Sequence, residues 1–386
     1  MHKRIKLNFS NCMKWEMFFA ASIILFTIAK QGTLVSLCFS MSFIVLLGYS
    51  LHRATTTGYS LNLVLLIIVS FVNVTVNALT SSEAILCFGY FKKLLMFVSF
   101  MLMLNFAQND DITRKAYNII FKLPCVMAII LVCSFFAGNT TRYAGGITLG
   151  FSNPNFTGMW LMHLFVYVFL LAYSTRNRTK RLALGTALVI MLWLIYETKA
   201  RSCLIGLFVF FLLYIMGRLT NDNFAKRPVV WGTANLFPIV FALLYQSLLN
   251  AKWFIDTFSF LVSEGKGLNS RAAVWTPAMR AFSSSPIFGD YCGISQGTGL
   301  SQLHNTHLDV LVSYGIVPFI LFLVALFELS RRITDRKMSG FNYIAFCGFL
   351  AVIIEGTFEA GVVSGAMGLN ILTAGLIMLA NYESEE

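Results

Sequence analysis

The stretch FTGMWLMHLFVYVFLLAY (156–173) decides the fold class, because it contains no Asp, Glu, Lys or Arg. As an α-helix it would rise about 27 Å, close to the thickness of the hydrocarbon core of a bilayer. Similar runs recur along nearly the whole chain of 386 residues, which is 57% hydrophobic and 12% charged. The short alternating segments of a membrane β-barrel are not seen. The sequence therefore predicts an all-α polytopic membrane protein with one integral membrane domain, residues 1–386.

These apolar runs predict about 12 transmembrane helices, and the connection 250–306 is predicted to be one large extracytoplasmic loop that contains short helices. The predicted spans are 14–29, 34–51, 61–79, 85–106, 117–137, 156–173, 182–196, 202–216, 229–249, 307–329, 343–357 and 363–380.

Basic residues set the predicted orientation. The clusters RNRTKR (176–181) and RRITDRK (331–337) follow apolar runs, and cytoplasmic connections of membrane proteins are enriched in Lys and Arg. Most of the 29 basic residues fall on one side when both ends of the chain are cytoplasmic. The net charge of +12 then mainly reflects membrane asymmetry. Nucleic-acid binding would need a soluble basic face, and none is seen.

Neither a metal nor a cofactor is indicated by the sequence. The eight cysteines form no CxxC pair, and cysteines in apolar runs usually serve as small buried side chains. A DxD-type nucleotide-sugar motif is absent, and the predicted external connections hold no acidic cluster for a divalent cation.

Arginines in the predicted external connections are unexpected, because the same charge rule disfavours them there. They include Arg142, Arg201, Arg271 and Arg280. A guanidinium suits bidentate capture of phosphate, whereas snorkelling to lipid head groups is the alternative for each arginine taken singly. Arg201 would also lie at a helix N-terminus, which favours anions. As a set beside histidine, these arginines favour an anion-binding function.

The segment SRAAVWTPAMRAF (270–282) predicts a short amphipathic helix with Ser270 as its N-cap and Trp275 at the level of the lipid head groups. Arg271 and Arg280 are nine residues apart. Nine residues make about 2.5 turns, so the two side chains should lie on nearly opposite faces. We therefore rank Arg280 below Arg271.

Two histidines follow this segment, at the start of the tenth predicted span. His304 and His307 are three residues apart, so both rings can face one side of a first helical turn. Asn305 could cap that helix or orient His304, and Asp309 could orient one ring. A general base or phosphate contact, a metal ligand and a buried structural histidine all remain open.

Two pairs of charged residues are harder to reconcile with the predicted membrane spans. Lys92 and Lys93 fall inside the fourth run, so either that span begins near Phe91 or the lysines line a polar cavity. Glu355 and Glu359 stand one helical turn apart near the outer end of the eleventh span. The pair could hold one of the basic residues or border a substrate groove, and the sequence does not decide between the two.

Four stretches together resemble the O-antigen ligase and O-antigen polymerase superfamily of bacterial membrane glycosyltransferases. They are RYAGGITLGFSNPNFTG (142–158), TKARSCLIGL (198–207), SRAAVWTPAMRAFSSSPIFGDYCG (270–293) and HNTHLDVLVSYGIVP (304–318). The resemblance covers roughly residues 140–330.

The resemblance implies a GT-C-like, metal-independent inverting glycosyl transfer on the outer face of the bacterial inner membrane. An undecaprenyl-diphosphate-linked oligosaccharide is the implied donor, and a glycan or lipid A core is the acceptor. Membrane lipids and a chain-length regulator protein are the further partners. Carried over by position, Arg201 and Arg271 bind the diphosphate and His304 contacts or deprotonates the acceptor hydroxyl. The weaker substrate-binding candidates are Arg142, Arg280, Asn153, Asn155, Asn305 and His307.

Within this family, a polymerase is favoured over a ligase, partly because the NPN element together with RxxG looks more like the polymerase members. A transporter or flippase of lipid-linked sugars is a different class, but transporters often show internal repeats and polar residues at the midplane, which this sequence does not. A non-enzymatic assembly partner would not require the arginines and histidine.

Overall fold

The computed structural model describes residues 61–80, 91–106, 110–138, 140–143, 145–151, 153–257, 269–290, 303–359 and 367–382, which are almost wholly helical. The helices are α1 (Leu61–Thr80), α2 (Phe91–Phe106), α3 (Asp110–Phe136), α4 (Pro154–Ser174), α5 (Arg178–Glu197), α6 (Arg201–Leu219), α7 (Pro228–Asn250), α8 (Lys252–Thr257), α9 (Asn269–Ser284), α10 (Thr306–Tyr314), α11 (Ile316–Thr334), α12 (Gly340–Glu355) and α13 (Met367–Asn381). An antiparallel hairpin, β1 (Thr141–Tyr143) and β2 (Gly146–Thr148), separates α3 from α4.

Several of these helices are suited to a membrane. In the described part of the chain, α1, α4, α5, α6 and the Pro228–Tyr245 portion of α7 are long and apolar enough to cross one. Each matches a predicted span to within a few residues, which confirms a multi-pass, all-α membrane protein. The spans predicted at 14–29 and 34–51 lie outside the described residues, so the number twelve stays a prediction.

Helix α12 forms the centre of the fold and packs against α4, α6, α7 and α13. Every residue from Asn342 to Glu355 is buried. A helix that is apolar all round is typical of a core position. Small residues allow close packing here, because a side chain at Gly206 would strike Met162, and one at Gly348 would strike Val166.

The predicted span 307–329 is two helices, because the chain breaks at Gly315. This residue has φ +89°, and a Cβ atom there would collide with the carbonyl of Ile287. The segment 285–290 fills the break. The amide of Ile316 donates to the Pro286 carbonyl at 2.9 Å, and that of Asp290 donates to the Val312 carbonyl at 2.7 Å. A break with its backbone groups paired inside the protein is tolerated in a membrane.

The two ends of the helix bundle carry different kinds of connection between helices. The beginnings of α4 and α6 and the ends of α5 and α12 meet at one end of the bundle, where Gly146 and Gly158 pack against Thr198. The basic connections 176–181 and 331–337 stand at the opposite ends of α4, α5 and α12.

Candidate functional site

Glu359, four residues after the end of α12, is the centre of a polar cluster. Its Oε1 accepts hydrogen bonds from Arg271 Nη2 at 3.0 Å and from Asn155 Nδ2 at 2.9 Å. Its Oε2 lies 2.9 Å from His304 Nδ1. One carboxylate therefore joins three side chains from separate parts of the sequence, and two of them were predicted to be catalytic.

The first turn of α4 directs Asn155 into this cluster. Asn153 is the N-cap, and its side chain accepts a hydrogen bond from the Phe156 amide at 2.8 Å. Pro154 then occupies the first helical position, which suits its fixed φ and missing N–H. The two asparagines of the NPN element therefore have different roles. Asn153 is exposed and its side chain caps the helix, whereas Asn155 contacts Glu359.

His304 is held in an uncommon backbone conformation. Its φ is +52°, a left-handed value that costs a residue other than glycine about 1–3 kcal/mol. Hydrogen bonds on both sides fix it. The Leu303 carbonyl accepts from Trp275 Nε1 at 2.7 Å, the Thr306 amide donates to the Gly356 carbonyl at 2.8 Å, and the Thr306 hydroxyl donates to the Glu359 carbonyl at 3.2 Å. The ring of His304 is therefore placed by a rigid frame.

Asn305 belongs to the same frame. It is the N-cap of α10, and its Oδ1 accepts from the Leu308 amide at 2.8 Å. Its Nδ2 donates to the carbonyls of Pro238 and Thr357, both at 2.9 Å. Both amide hydrogens are used and the residue is fully buried. Its observed contacts are thus with the backbone of the site, as the capping alternative predicted.

The charge state of the cluster follows from Glu359. Burial raises the pKa of this carboxyl, but the hydrogen bond from His304 and the charge of Arg271 outweigh burial, so its net pKa lies below the ordinary value. The group is therefore ionised near neutral pH. An ionised carboxylate can only accept hydrogen bonds, so Nδ1 of His304 must carry a hydrogen. When the ring is neutral, Nε2 has the free lone pair.

The members of the cluster differ in their exposure. The side chains of Arg271 and His304 are 19% and 24% exposed, whereas that of Glu359 is 4% exposed. An incoming molecule can therefore reach the arginine and the histidine, but it has little access to the carboxylate between them.

Helix α9 separates its two arginines, as their spacing predicts. Arg271 turns towards Glu359, whereas Arg280 is exposed. One other expectation for this helix is wrong, because Ser270 is already its second residue and not its N-cap. Trp275 is buried against Tyr245 and Phe241, at ring-centre distances of 4.9 and 6.4 Å, and its indole donates to the Leu303 carbonyl. Its level relative to the lipid head groups stays a prediction.

The remaining predicted arginines lie at the same end of the bundle. Arg201 is the first residue of α6 and is half-buried. Two residues later, the sulfur of Cys203 lies 4.0 Å from Glu355 Oε1. Arg142 is exposed on β1. The structure therefore brings α6 beside the end of α12, next to the Glu359 cluster.

His307 does not share a face with His304, because α10 begins at Thr306 and His304 lies outside the helix. His307 is fully buried, and its ring packs against Phe319 and Phe322 at 6.4 and 5.3 Å. The expectation that both rings face one side is wrong.

Asp309 orients neither histidine. Its Oδ1 accepts from Lys93 Nζ at 2.7 Å, and the same ammonium donates to Ser313 Oγ at 2.8 Å. Helix α2 begins at Phe91, which is the first of the two alternatives considered for the lysines. Lys93 is therefore neutralised by a buried aspartate of α10.

The sequence left two roles open for the pair of Glu355 and Glu359, and the structure shows the first of them for Glu359, because its carboxylate holds the basic residue Arg271. The available signal was a carboxylate one turn after Glu355 at the end of an apolar run, and such residues are uncommon in membrane helices.

Among the described residues, no group of three or more His, Cys, Asp or Glu side chains is arranged to hold a metal ion. Comparison with protein-family models, curated proteins and solved structures finds no significant match.

Proposed function

We propose that this protein is a glycosyltransferase that polymerises undecaprenyl-diphosphate-linked oligosaccharide repeat units on the outer face of a bacterial inner membrane. The proposal includes twelve transmembrane helices in a GT-C-like arrangement. The observation that carries it is the partly exposed pair of Arg271 and His304, both anchored on the buried Glu359.

The donor chemistry requires cations at the leaving group. When a sugar leaves undecaprenyl diphosphate, the electron pair of the breaking bond stays on a diphosphate oxygen. A guanidinium stabilises that developing charge by directed hydrogen bonds, and such preorganised donors are usually a large part of catalysis. Arg271 has four further N–H groups beyond the one bonded to Glu359. Arg201, at the N-terminus of α6, is the proposed second contact.

The acceptor chemistry requires a base. An acceptor hydroxyl attacks the anomeric carbon with inversion, and its proton must be removed as the new bond forms. Nε2 of His304 is the proposed proton acceptor, because Nδ1 is already bonded to Glu359. Arg142, on the exposed strand β1, and Asn153 are proposed as outer substrate contacts.

The distribution of basic residues supports the sidedness. The clusters 176–181 and 331–337 stand at the ends of α4, α5 and α12 that are remote from Glu359. Because such clusters remain in the cytoplasm, the cluster at Glu359 is proposed to face outward, with both termini inside.

A ligase that transfers the finished glycan to a lipid A core would use the same donor chemistry. The test is purified protein with a synthetic undecaprenyl-diphosphate repeat unit. Lengthening of lipid-linked chains without another acceptor is the expected result. Transfer only when core lipid is added would instead identify a ligase.

A transporter of lipid-linked sugars is favoured by one observation, the break between α10 and α11, since transporters use discontinuous helices to bind substrates. Here, however, the carbonyls of Val312 and Tyr314 accept hydrogen bonds from Asp290 and Asn73. Translocation of the donor in vesicles without its consumption would overturn both enzyme proposals.

A further inference from the structure

We propose that Glu359 is a positioning residue, which fixes the tautomer of His304 and holds Arg271 at a set distance from it. This inference rests on the proposed function, because it assigns the part that a third residue takes in the same transfer. The sequence indicated only that Glu359 could hold a basic residue, and it indicated no role towards His304.

Both oxygens of the carboxylate are already engaged by the protein. Oε1 accepts from both Arg271 and Asn155, and Oε2 is bonded to His304. At 4% exposure, Glu359 is poorly accessible to an acceptor hydroxyl. It therefore acts through its neighbours and not on the substrate.

Its effect on His304 is specific to one nitrogen. The ionised carboxylate requires a hydrogen on Nδ1, so the neutral ring presents the lone pair of Nε2. During transfer, the acceptor oxygen bonds to the anomeric carbon and its proton moves to Nε2, while the sugar–diphosphate bond breaks towards the diphosphate. The ring then carries a positive charge beside the Glu359 anion. A carboxylate–histidine pair of this kind orients and stabilises the base in other enzymes.

Its effect on Arg271 is geometric. Because the two oxygens of one carboxylate hold the guanidinium and the imidazole, the base and the cation move together. The bond from the Thr306 hydroxyl to the Glu359 carbonyl, at 3.2 Å, ties the same residue to the start of α10. Asn155 adds a contact from α4. Helices α4, α9 and α10 are therefore aligned by one residue, as preorganised catalysis requires.

The decisive substitution is Glu359→Gln, which keeps the size and removes the charge. A glutamine can donate its amide to Nδ1 and so stabilise the tautomer with hydrogen on Nε2. We expect kcat to fall by about a hundredfold or more, with a much smaller change in KM for the donor. Glu359→Asp keeps the charge and should recover part of kcat.

Glu328→Gln is the matched control. Glu328, on α11, also accepts an amide hydrogen bond, from Asn62 at 2.9 Å, but it has no contact with the site among those described. We expect its kcat to stay within about twofold of the wild-type value. Equal kcat for Glu359→Gln and the wild-type protein would overturn the inference.

A spectroscopic measurement covers the case in which Glu359→Gln fails to fold. In wild-type protein with ¹⁵N-labelled histidine, comparison with His304→Ala identifies the His304 signals. We expect the neutral ring to carry hydrogen on Nδ1. Hydrogen on Nε2 would overturn the inference even if the transferase is active. Conversely, the Nδ1 tautomer in a protein that consumes no donor would leave the positioning role intact and refute the proposed function.

Discussion

Two buried carboxylates beside α10 hold cations in different ways. Asp309 pairs with one ammonium, that of Lys93, and their side chains are 0% and 10% exposed. Glu359 joins the Arg271 guanidinium, the His304 imidazole and the Asn155 amide, and the side chains of Arg271 and His304 remain 19% and 24% exposed. A closed pair can only neutralise charge and hold two helices together. An open cluster leaves part of its cationic surface for another molecule.

The largest difference should appear in activity. His304→Ala removes the proposed base, so the transfer rate should fall by about 10²–10⁴-fold. The ring is partly exposed, so the unfolding temperature in detergent should change little. Donor turnover and thermal unfolding, measured on the same preparation, check both parts. Full activity would show that the base lies elsewhere.

The closed pair should show the opposite behaviour. Lys93→Ala leaves Asp309 buried without its cation, and removal of one partner of a buried pair costs about 3–5 kcal/mol. The expected result is a large fall in unfolding temperature, with activity reduced only as far as folded protein is lost. The matched control is the double variant Lys93→Met with Asp309→Leu, which should recover most of the stability. Equal stability of the single and double variants would contradict this account.

A smaller effect is expected at the helix break after α10, which lies outside both regions. Gly315→Ala places a side chain at φ +89° and against the Ile287 carbonyl, so it should cost more than about 1 kcal/mol. Gly185, within α5, is the control because an added Cβ meets nothing within 4 Å. Gly185→Ala should be neutral or slightly stabilising. A neutral Gly315→Ala variant would mean that the chain continues as one helix there.

The helices were predictable because a membrane leaves the backbone few alternatives. An apolar run without water to solvate its N–H and C=O groups must form helix, and the runs near 61–79, 156–173 and 229–249 do so. The break at Gly315 was not predictable in the same way. It depends on the docking of Ile287 and Pro286, a contact that no local pattern encodes.

The candidate site was predictable in its chemistry but not in its arrangement. Arg271 and His304 were unusual by residue type and position, so they could be selected from the sequence. The partners of Glu359 could not be assigned, because His304, Arg271 and Asn155 are 55, 88 and 204 residues away in the chain. For Asp309, the sequence offered a nearby histidine, whereas the fold supplies Lys93 from 216 residues away.

The central claim is that the open cluster at Glu359 is where the donor diphosphate is turned over. The most direct test compares Arg271→Ala with Arg280→Ala, two equal truncations on opposite faces of α9. The measurement is release of undecaprenyl diphosphate from the synthetic donor by folded protein. We predict that Arg271→Ala loses about 10²–10³-fold in rate, whereas Arg280→Ala loses far less. Equal rates for the two variants, or a greater loss for Arg280→Ala, would contradict the account.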